Sequence, residues 1–452
     1  MAESAKSKVL IIGAGISGIA LAILLHKRGH EVELIEKRNY EIDEIPEKHS
    51  INFTLTQRGL DVLESLHLKQ KILQNSDALT GRMIHAENGK TLFYPYGSKK
   101  NHMLHSIRRR KLLEILYEEI KQYPNIPLKM NCKLLNINKS NWECKYINTQ
   151  SNKTFSTTAD LIVGADGAFS TTRKLMLDQC PVSYQQKFFN WKYKKIFLPA
   201  DEAKNLNLAT ENLHIWSYDQ TLLVAIPNPD GSFGLLFAAQ DTHNLDANTN
   251  LNAKFHTYYS DLLHDAPSLS QTIQQAPVSY FVSIKIGKWV YANKVILIGD
   301  ACHAVFPFYG QGMNCALEDA VSLNFMLQHS KTPEKALRDF EHVRKPNADA
   351  LDYLSETHFY HLQKAYSSPW LEARNQLDCW LTKWFPKHWK YEYEMVAHTH
   401  IPYQKILRIV KRQNRQRKFL GLPLIELLIV IFSFLKKLKN KQGNKYIKEK
   451  NR

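Results

Sequence analysis

The segment VLIIGAGISGIALAILLHKRGHEVELIEKR, residues 9–38, constrains the fold more than any other stretch of the chain. Val9 to Ile12 form a short run of apolar residues, as expected of a strand buried on both faces in a parallel sheet. Gly13, Gly15 and Gly18 follow in the pattern GxGxxG. Ile19 to Lys27 carry apolar residues at helical spacing, Gly29 supplies a stop, and EVELIE reads as a second strand. Each glycine has its own reason to be there. The first allows a tight turn, the second lets a pyrophosphate approach the backbone, and the third lets helix and strand touch. The helix start adds free N–H groups and a positive dipole end for phosphate. Glu36 closes the second strand, where a carboxylate can accept bonds from a ribose. This βαβ unit predicts a dinucleotide site, and by itself leaves NAD and FAD equally open.

Two later segments repeat part of that logic. ADLIVGADGAFSTTRKLM, starting at Ala159, runs a buried strand into Gly164-Ala165-Asp166-Gly167. KVILIGDACHA, starting at Lys294, runs another into Gly299-Asp300. No second GxGxxG unit follows, and no redox CxxxxC is present. In this order the three segments resemble the fingerprints of the class A flavoprotein monooxygenases, whose fold is typified by para-hydroxybenzoate hydroxylase. GRMIHAENGKTLFYPYGS, NLHIW and GDACHAVFPFYGQGMNCALED narrow the resemblance to the kynurenine 3-monooxygenase family, through most of residues 8–415.

The resemblance implies an α/β fold. A Rossmann-like FAD-binding domain of the para-hydroxybenzoate hydroxylase type would use residues 1–75, 100–180 and 285–335. An inserted β-sheet substrate domain would use 76–99 and 181–284. A helical cap would span 336–417, and a basic tail with an apolar centre would span 418–452. It also implies bound FAD, with NADPH and O2 as co-substrates and chemistry through a C4a-hydroperoxyflavin. Besides Gly13, Gly15, Gly18 and Glu36, the cofactor contacts implied are Ser17, Arg38, Thr54, Arg108, Asp166, Asp300, Gly312, Met313 and Asn314. Arg109 and Arg110 read as solvated. For the substrate, an aromatic amino acid, the implied residues are Arg82, Tyr96 and Tyr393, with Phe308 and Gln311 beside the flavin. A guanidinium can grip a carboxylate bidentately, and a phenol adds a directed bond. Where the family carries an Asn, an ungapped count reaches His358, which is bulkier and titrates nearer neutrality. That departure keeps a related aromatic or anthranilate-like acid open beside kynurenine. A flavin-dependent reductase and a non-enzymatic flavoprotein are the competing classes.

GDACHAVFPFYGQGMNCALED also gathers Cys302, His303, Cys315, Glu318 and Asp319. Cys302 and His303 are adjacent, so their side chains diverge, and zinc ligand spacing is absent. No metal is expected. The six cysteines show no paired framework, which suits a reducing compartment rather than secretion. The glycine-broken apolar run near the start is a strand and helix rather than a signal peptide.

The net charge of +17 is concentrated at one end. Residues 405–452 hold 15 Lys and Arg against two acids, leaving +4 for the rest. The basic balance therefore describes a tail and not a nucleic-acid-binding body. Within it, Phe419 to Leu435 is apolar apart from Pro423, Glu426 and Ser433. A full bilayer span needs about 20 residues. A short membrane anchor, an interfacial helix on anionic lipid and a buried core helix all remain open. The expectation is a cytosol-facing protein held to a membrane through residues 419–435, with a disordered end from Lys436.

Overall fold

The computed structural model describes residues 6–39, 52–86, 89–240, 247–365 and 369–431. Its first sheet has six strands, in the order Val290–Tyr291, Val295–Leu297, Leu161–Gly164, Lys8–Ile12, Glu31–Ile35 and Leu128–Lys129. All pair in parallel except the edge strand Val290–Tyr291. Parallel pairing has a direct consequence. Ile12 lies beside Gly164, and Gly164 beside Leu297. The three glycine-bearing strand ends therefore emerge along one rim, at the carboxyl ends of the strands, where open α/β sheets bind ligands.

The helix Ile16–His26 is buried all round from Ser17 to Leu25, which is why its sequence is apolar on every face. It packs between this sheet and the helix Gly312–His329. Each large aliphatic side chain sealed there contributes on the order of 1.5–3 kcal/mol.

A second sheet of seven strands runs Ser279–Ile286, Tyr184–Leu198, Phe233–Gln240, Thr221–Pro227, Asn212–Tyr218, Gly81–His85 and Thr91–Pro95. It is antiparallel except where Gly81–His85 lies parallel to Asn212–Tyr218. The alternation of VAIP and FGLLFAA fits one covered and one cleft-facing side. A small sheet of Asn52–Leu55, Leu104–Arg108 and Asp77–Leu79 lies between the two large ones in the chain path. Asn52 and Ser106 tie it to the second sheet, since both donate hydrogen bonds to the carbonyl of Pro227.

The helices Pro333–Ala365, Pro369–Trp384, Glu392–His398 and Tyr403–Phe419 cover one side. Residues 422–431 form a further helix that folds back on them. Leu422 and Ile429 pack with Leu377, Leu381 and Trp389. Arg417 holds Glu426 and Asp378 in ion pairs. Among the described residues, no helix is long and apolar enough to cross a membrane. Of the readings the sequence left open for this stretch, the described part is a helix whose buried Glu426 pairs with Arg417 and fixes one face against the protein. Residues 432–435 of the expected span, and the end from Lys436, lie outside the described residues.

Candidate active site

The rim of the first sheet is shaped by its glycines. Gly13 has φ +105°, and a Cβ there would stand 2.5 Å from the carbonyl oxygen of Ala165. A Cβ on Gly18 would stand 2.1 Å from the Gly13 oxygen. Around Gly15, by contrast, nothing lies within 4 Å of that position. Gly15 caps the Ile16–His26 helix without a side-chain bond, and no acid occupies the first turn. The helix thus offers its N–H groups to open space, the arrangement a pyrophosphate requires. Tyr117 steadies the loop by donating to the carbonyl of Ala14 at 2.9 Å. Glu36 accepts from the Ala14 N–H at 2.8 Å and from the Arg38 N–H at 3.0 Å, while the Arg38 side chain is exposed. Ser17 is buried next to Gly299.

Asp300 stands across the rim at the third strand end. Its side chain is exposed and makes no hydrogen bond to the described residues. Protein nonetheless surrounds it closely, and this desolvation pushes its carboxyl pKa up against the pull of His303 and Arg109. The open side faces a cleft, so the push is weak until a ligand covers it. The loop that carries Asp300 is fixed from below. Asp319 accepts from the Gly299 N–H at 2.9 Å, from His303 Nε2 at 2.5 Å and from Arg344 Nε at 2.7 Å. Burial raises the Asp319 pKa, but His303 and Arg344 outweigh it and hold the group down at about 2.

Cys302, His303 and Asp319 do place ligand atoms within 4.8 Å of one another. Each is already engaged. The Cys302 thiol donates to the carbonyls of Leu297 and Gly299, and burial pushes its pKa well up. Arg344 occupies the second oxygen of Asp319. A cation built into the site leaves poor ground for a metal ion.

Three residues named from sequence have protein partners at this rim. The Asp166 carboxylate accepts from Ser170 Oγ, Thr172 N–H and Thr172 Oγ1, so it anchors the start of the Thr171–Leu177 helix. The Asn314 amide donates to the carbonyls of Thr54 and Gly310 and accepts from the Thr56 N–H. Both side chains hold neighbouring backbone in place. Thr54 itself packs against Gly310, with Oγ1 3.4 Å from its carbonyl oxygen. Arg108 binds Asp230 at 2.7 Å and Ser232 at 2.9 Å. Ser106 and Arg108 share the strand face that meets Pro227–Ser232. Arg109 begins the following helix, Arg109–Ile120, and its charge acts on Asp300.

Met313 and Gly312 begin the helix Gly312–His329, which has no side-chain cap and no acid in its first turn. Gln311 precedes it, buried; its Oε1 accepts from the Tyr403 hydroxyl at 3.2 Å, and its Nε2 has no partner. The open Gly15 cradle, the unpartnered Gln311 amide and the cleft-facing Asp300 fit a bound flavin dinucleotide.

Beside this rim the second sheet and the helices bring distant residues together. Arg82, on the Gly81–His85 strand, lies with its guanidinium carbon 4.5 Å from the Tyr393 ring centre and 5.8 Å from that of Tyr96. Tyr96 and Tyr393 stack at 5.3 Å. Arg82 Nη1 meets His358 Nε2 at 3.4 Å. An arginine can only donate, so Nε2 is the acceptor and the imidazole proton sits on Nδ1. Tyr309 stacks on His358 at 4.1 Å and donates to Glu392 at 2.8 Å. Burial pushes the phenols of Tyr309 and Tyr393 up, so both remain donors at neutral pH. Phe308 sits in a wall with Phe189, Phe281 and Phe359, the last at 4.2 Å. The cluster unites Arg82, Tyr96, Tyr393, His358 and the adjoining Phe308, all named from sequence. Glu392 was missed, because neither of the two acids in WKYEYEMV carries a signal that sets it apart.

A family model described as an FAD binding domain matches residues 6–352. Kynurenine 3-monooxygenase of Salinispora tropica is 34% identical over 94% of this chain and 95% of its own length. That of Drosophila willistoni is 32% identical over 93% and 94%. The chain belongs to the kynurenine 3-monooxygenase family. Among solved structures, 2-methyl-3-hydroxypyridine-5-carboxylic acid oxygenase superposes with a TM-score of 0.66 at 20% identity, covering 83% of this chain and 96% of its own. A HpxO variant from Klebsiella pneumoniae, solved with FAD, gives 0.64 at 18%, covering 89% and 97%. These likenesses show the fold; the family model and the relatives make this kynurenine 3-monooxygenase family member an FAD-dependent monooxygenase.

Proposed function

We propose that this chain hydroxylates L-kynurenine to 3-hydroxykynurenine, with FAD bound and NADPH and O2 as co-substrates. The observation that carries the reading is Arg82, held by His358 and Tyr393 beside a wall of phenylalanines. The guanidinium suits the substrate carboxylate, and the phenols of Tyr96 and Tyr393 add directed bonds. The aryl ring lies against Phe308 and its neighbours. When bound, FAD would relay two electrons from NADPH to O2, so that one oxygen atom enters the substrate and the other leaves as water. The chain's own part is to bind, orient and exclude water. Gly13, Gly15 and Gly18 receive the pyrophosphate, Glu36 the ribose, and Asp300 the ribityl chain. The N–H groups of Gly312 and Met313 face the flavin's polar edge, and Arg109 takes the place first given to Arg108. The curated relatives, named for kynurenine, favour this substrate over another aromatic acid. The test uses the purified yellow protein. L-Kynurenine should accelerate NADPH oxidation and yield 3-hydroxykynurenine; no acceleration and no product would end the reading.

The same reading places the protein at a lipid surface. The helices Pro369–Trp384, Tyr403–Phe419 and 422–431 leave Trp380, Trp384, Phe385, Phe419 and Leu424 exposed beside a row of cations. Such an apolar edge with basic flanks suits interfacial docking on anionic lipid.

A further inference from the structure

Glu392 opens the short helix Glu392–His398 between two buried tyrosines, Tyr391 and Tyr393. One of its oxygens accepts the Tyr309 hydroxyl at 2.8 Å. The other accepts nothing from the described residues, and no cation among them lies at ion-pair distance. The side chain is half-buried rather than sealed, so the second oxygen reaches accessible space. Burial pushes its carboxyl pKa up, against the Tyr309 hydrogen bond and the charge of Arg374, while Asp378 adds to the rise. A carboxylate without a cation among aromatic rings is costly unless a ligand pairs with it.

Its position relative to Arg82 gives the ligand a shape. Tyr309 joins the two. Its hydroxyl meets Glu392, and its ring stacks at 4.1 Å on His358, which touches Arg82. A cation and an anion thus flank one aromatic stack. An α-amino acid carries a carboxylate and an ammonium on the same carbon, and it needs that pair of opposite charges side by side. We propose that Glu392 receives the α-ammonium group of the substrate while Arg82 holds its carboxylate. The proposal rests on the functional reading above. It assigns Glu392 to selection for zwitterionic amino acids over simple aromatic acids.

The experiment compares L-kynurenine with desamino-kynurenine, which lacks only the α-amino group, on the FAD-loaded protein. Dissociation constants are read from the change in flavin absorbance, and KM from NADPH oxidation. The unmutated protein should bind L-kynurenine more tightly by about 10- to 100-fold, the range of a hydrogen bond between charged groups. Glu392→Gln keeps the shape and still accepts from Tyr309, and it should erase most of that difference while desamino-kynurenine binds as before. Glu392→Asp keeps the charge and should retain part of it. Equal binding of the two ligands by the unmutated protein overturns the assignment without any variant. So does an unchanged preference in Glu392→Gln that still holds flavin. If neither ligand disturbs the flavin or is hydroxylated, the functional reading falls, and the role of Glu392 with it.

Discussion

Gly15 and Gly18 lie three residues apart and answer to different partners. Gly18 is crowded by its own chain, with the Gly13 oxygen 2.1 Å from where a methyl would stand. Nothing among the described residues beyond its own chain neighbours crowds Gly15. Gly18→Ala should therefore destabilise the protein stripped of flavin, by ~1–3 kcal/mol, the usual penalty of overpacking. Gly15→Ala should leave the stripped protein's melting temperature alone and lower its affinity for FAD. Calorimetry with and without FAD separates the two, and equal behaviour would contradict the cradle. Arg82→Ala tests the other half of the site. It should raise the KM for L-kynurenine by about 100-fold through loss of a charged, bidentate contact, with flavin retained; an unchanged KM would remove Arg82 from the pocket. A motif made the tight turn at Gly13 legible in the sequence. Nothing in the sequence separates Arg108 from Arg109; Arg108 ends a strand and meets Asp230, while Arg109 begins a helix and acts on Asp300.

The strands Gly81–His85 and Asn212–Tyr218 lie side by side though far apart in the chain, and two histidines join them. His85 Nε2 and His214 Nδ1 stand 2.9 Å apart, across 129 residues of chain. His214 Nε2 meets the carbonyl of Ala209, which can only accept, so His214 donates there and accepts from His85. Burial, and then the neighbouring His214, depress the His85 pKa from 6.5 to about 4. The sign follows. Below pH 6.5 the unfolded chain takes up a proton that the folded strand pair refuses, so stability falls as pH drops toward 4 and levels off beneath it. After allowance for solvent screening the pair accounts for on the order of 2 kcal/mol. Thermal melts of the protein and of His85→Gln between pH 7 and 4.5 check it. The variant should show the shallower fall, and identical slopes would rule the pair out. Nothing in RMIH or NLHIW announces this contact. The resemblance implied a sheet over these residues, but parallel pairing across so long a separation is set by the whole sheet and not by either segment.

At the scale of the whole molecule the charge is divided. The flavin and substrate cleft belongs to a body of nearly balanced charge, while 15 of the 60 Lys and Arg residues lie beyond residue 404. Seven of them, from Lys405 to Lys418, ride on the Tyr403–Phe419 helix, next to Trp384, 74% exposed, and Phe419, 90% exposed. Cations draw the protein to anionic lipid at about 1 kcal/mol per residue near the surface, and salt weakens that attraction. The aromatic edge adds a contribution that salt does not remove. Two signatures should therefore separate in one experiment. Co-sedimentation with phosphatidylserine vesicles should fall steeply as salt rises, and it should be weak with phosphatidylcholine alone. Trp384→Ser together with Phe419→Ser should lower binding at every salt concentration, while kcat on L-kynurenine stays unchanged because neither residue reaches the cleft. Vesicle binding that ignores both lipid charge and these two residues would assign the patch to another partner. The sequence suggested an anchor from apolar run and charge alone. The buried pair Arg417–Glu426 turns the described part of that run into a docked helix with one free edge, a distinction hydropathy cannot draw because it depends on which face meets Trp389 and Leu377.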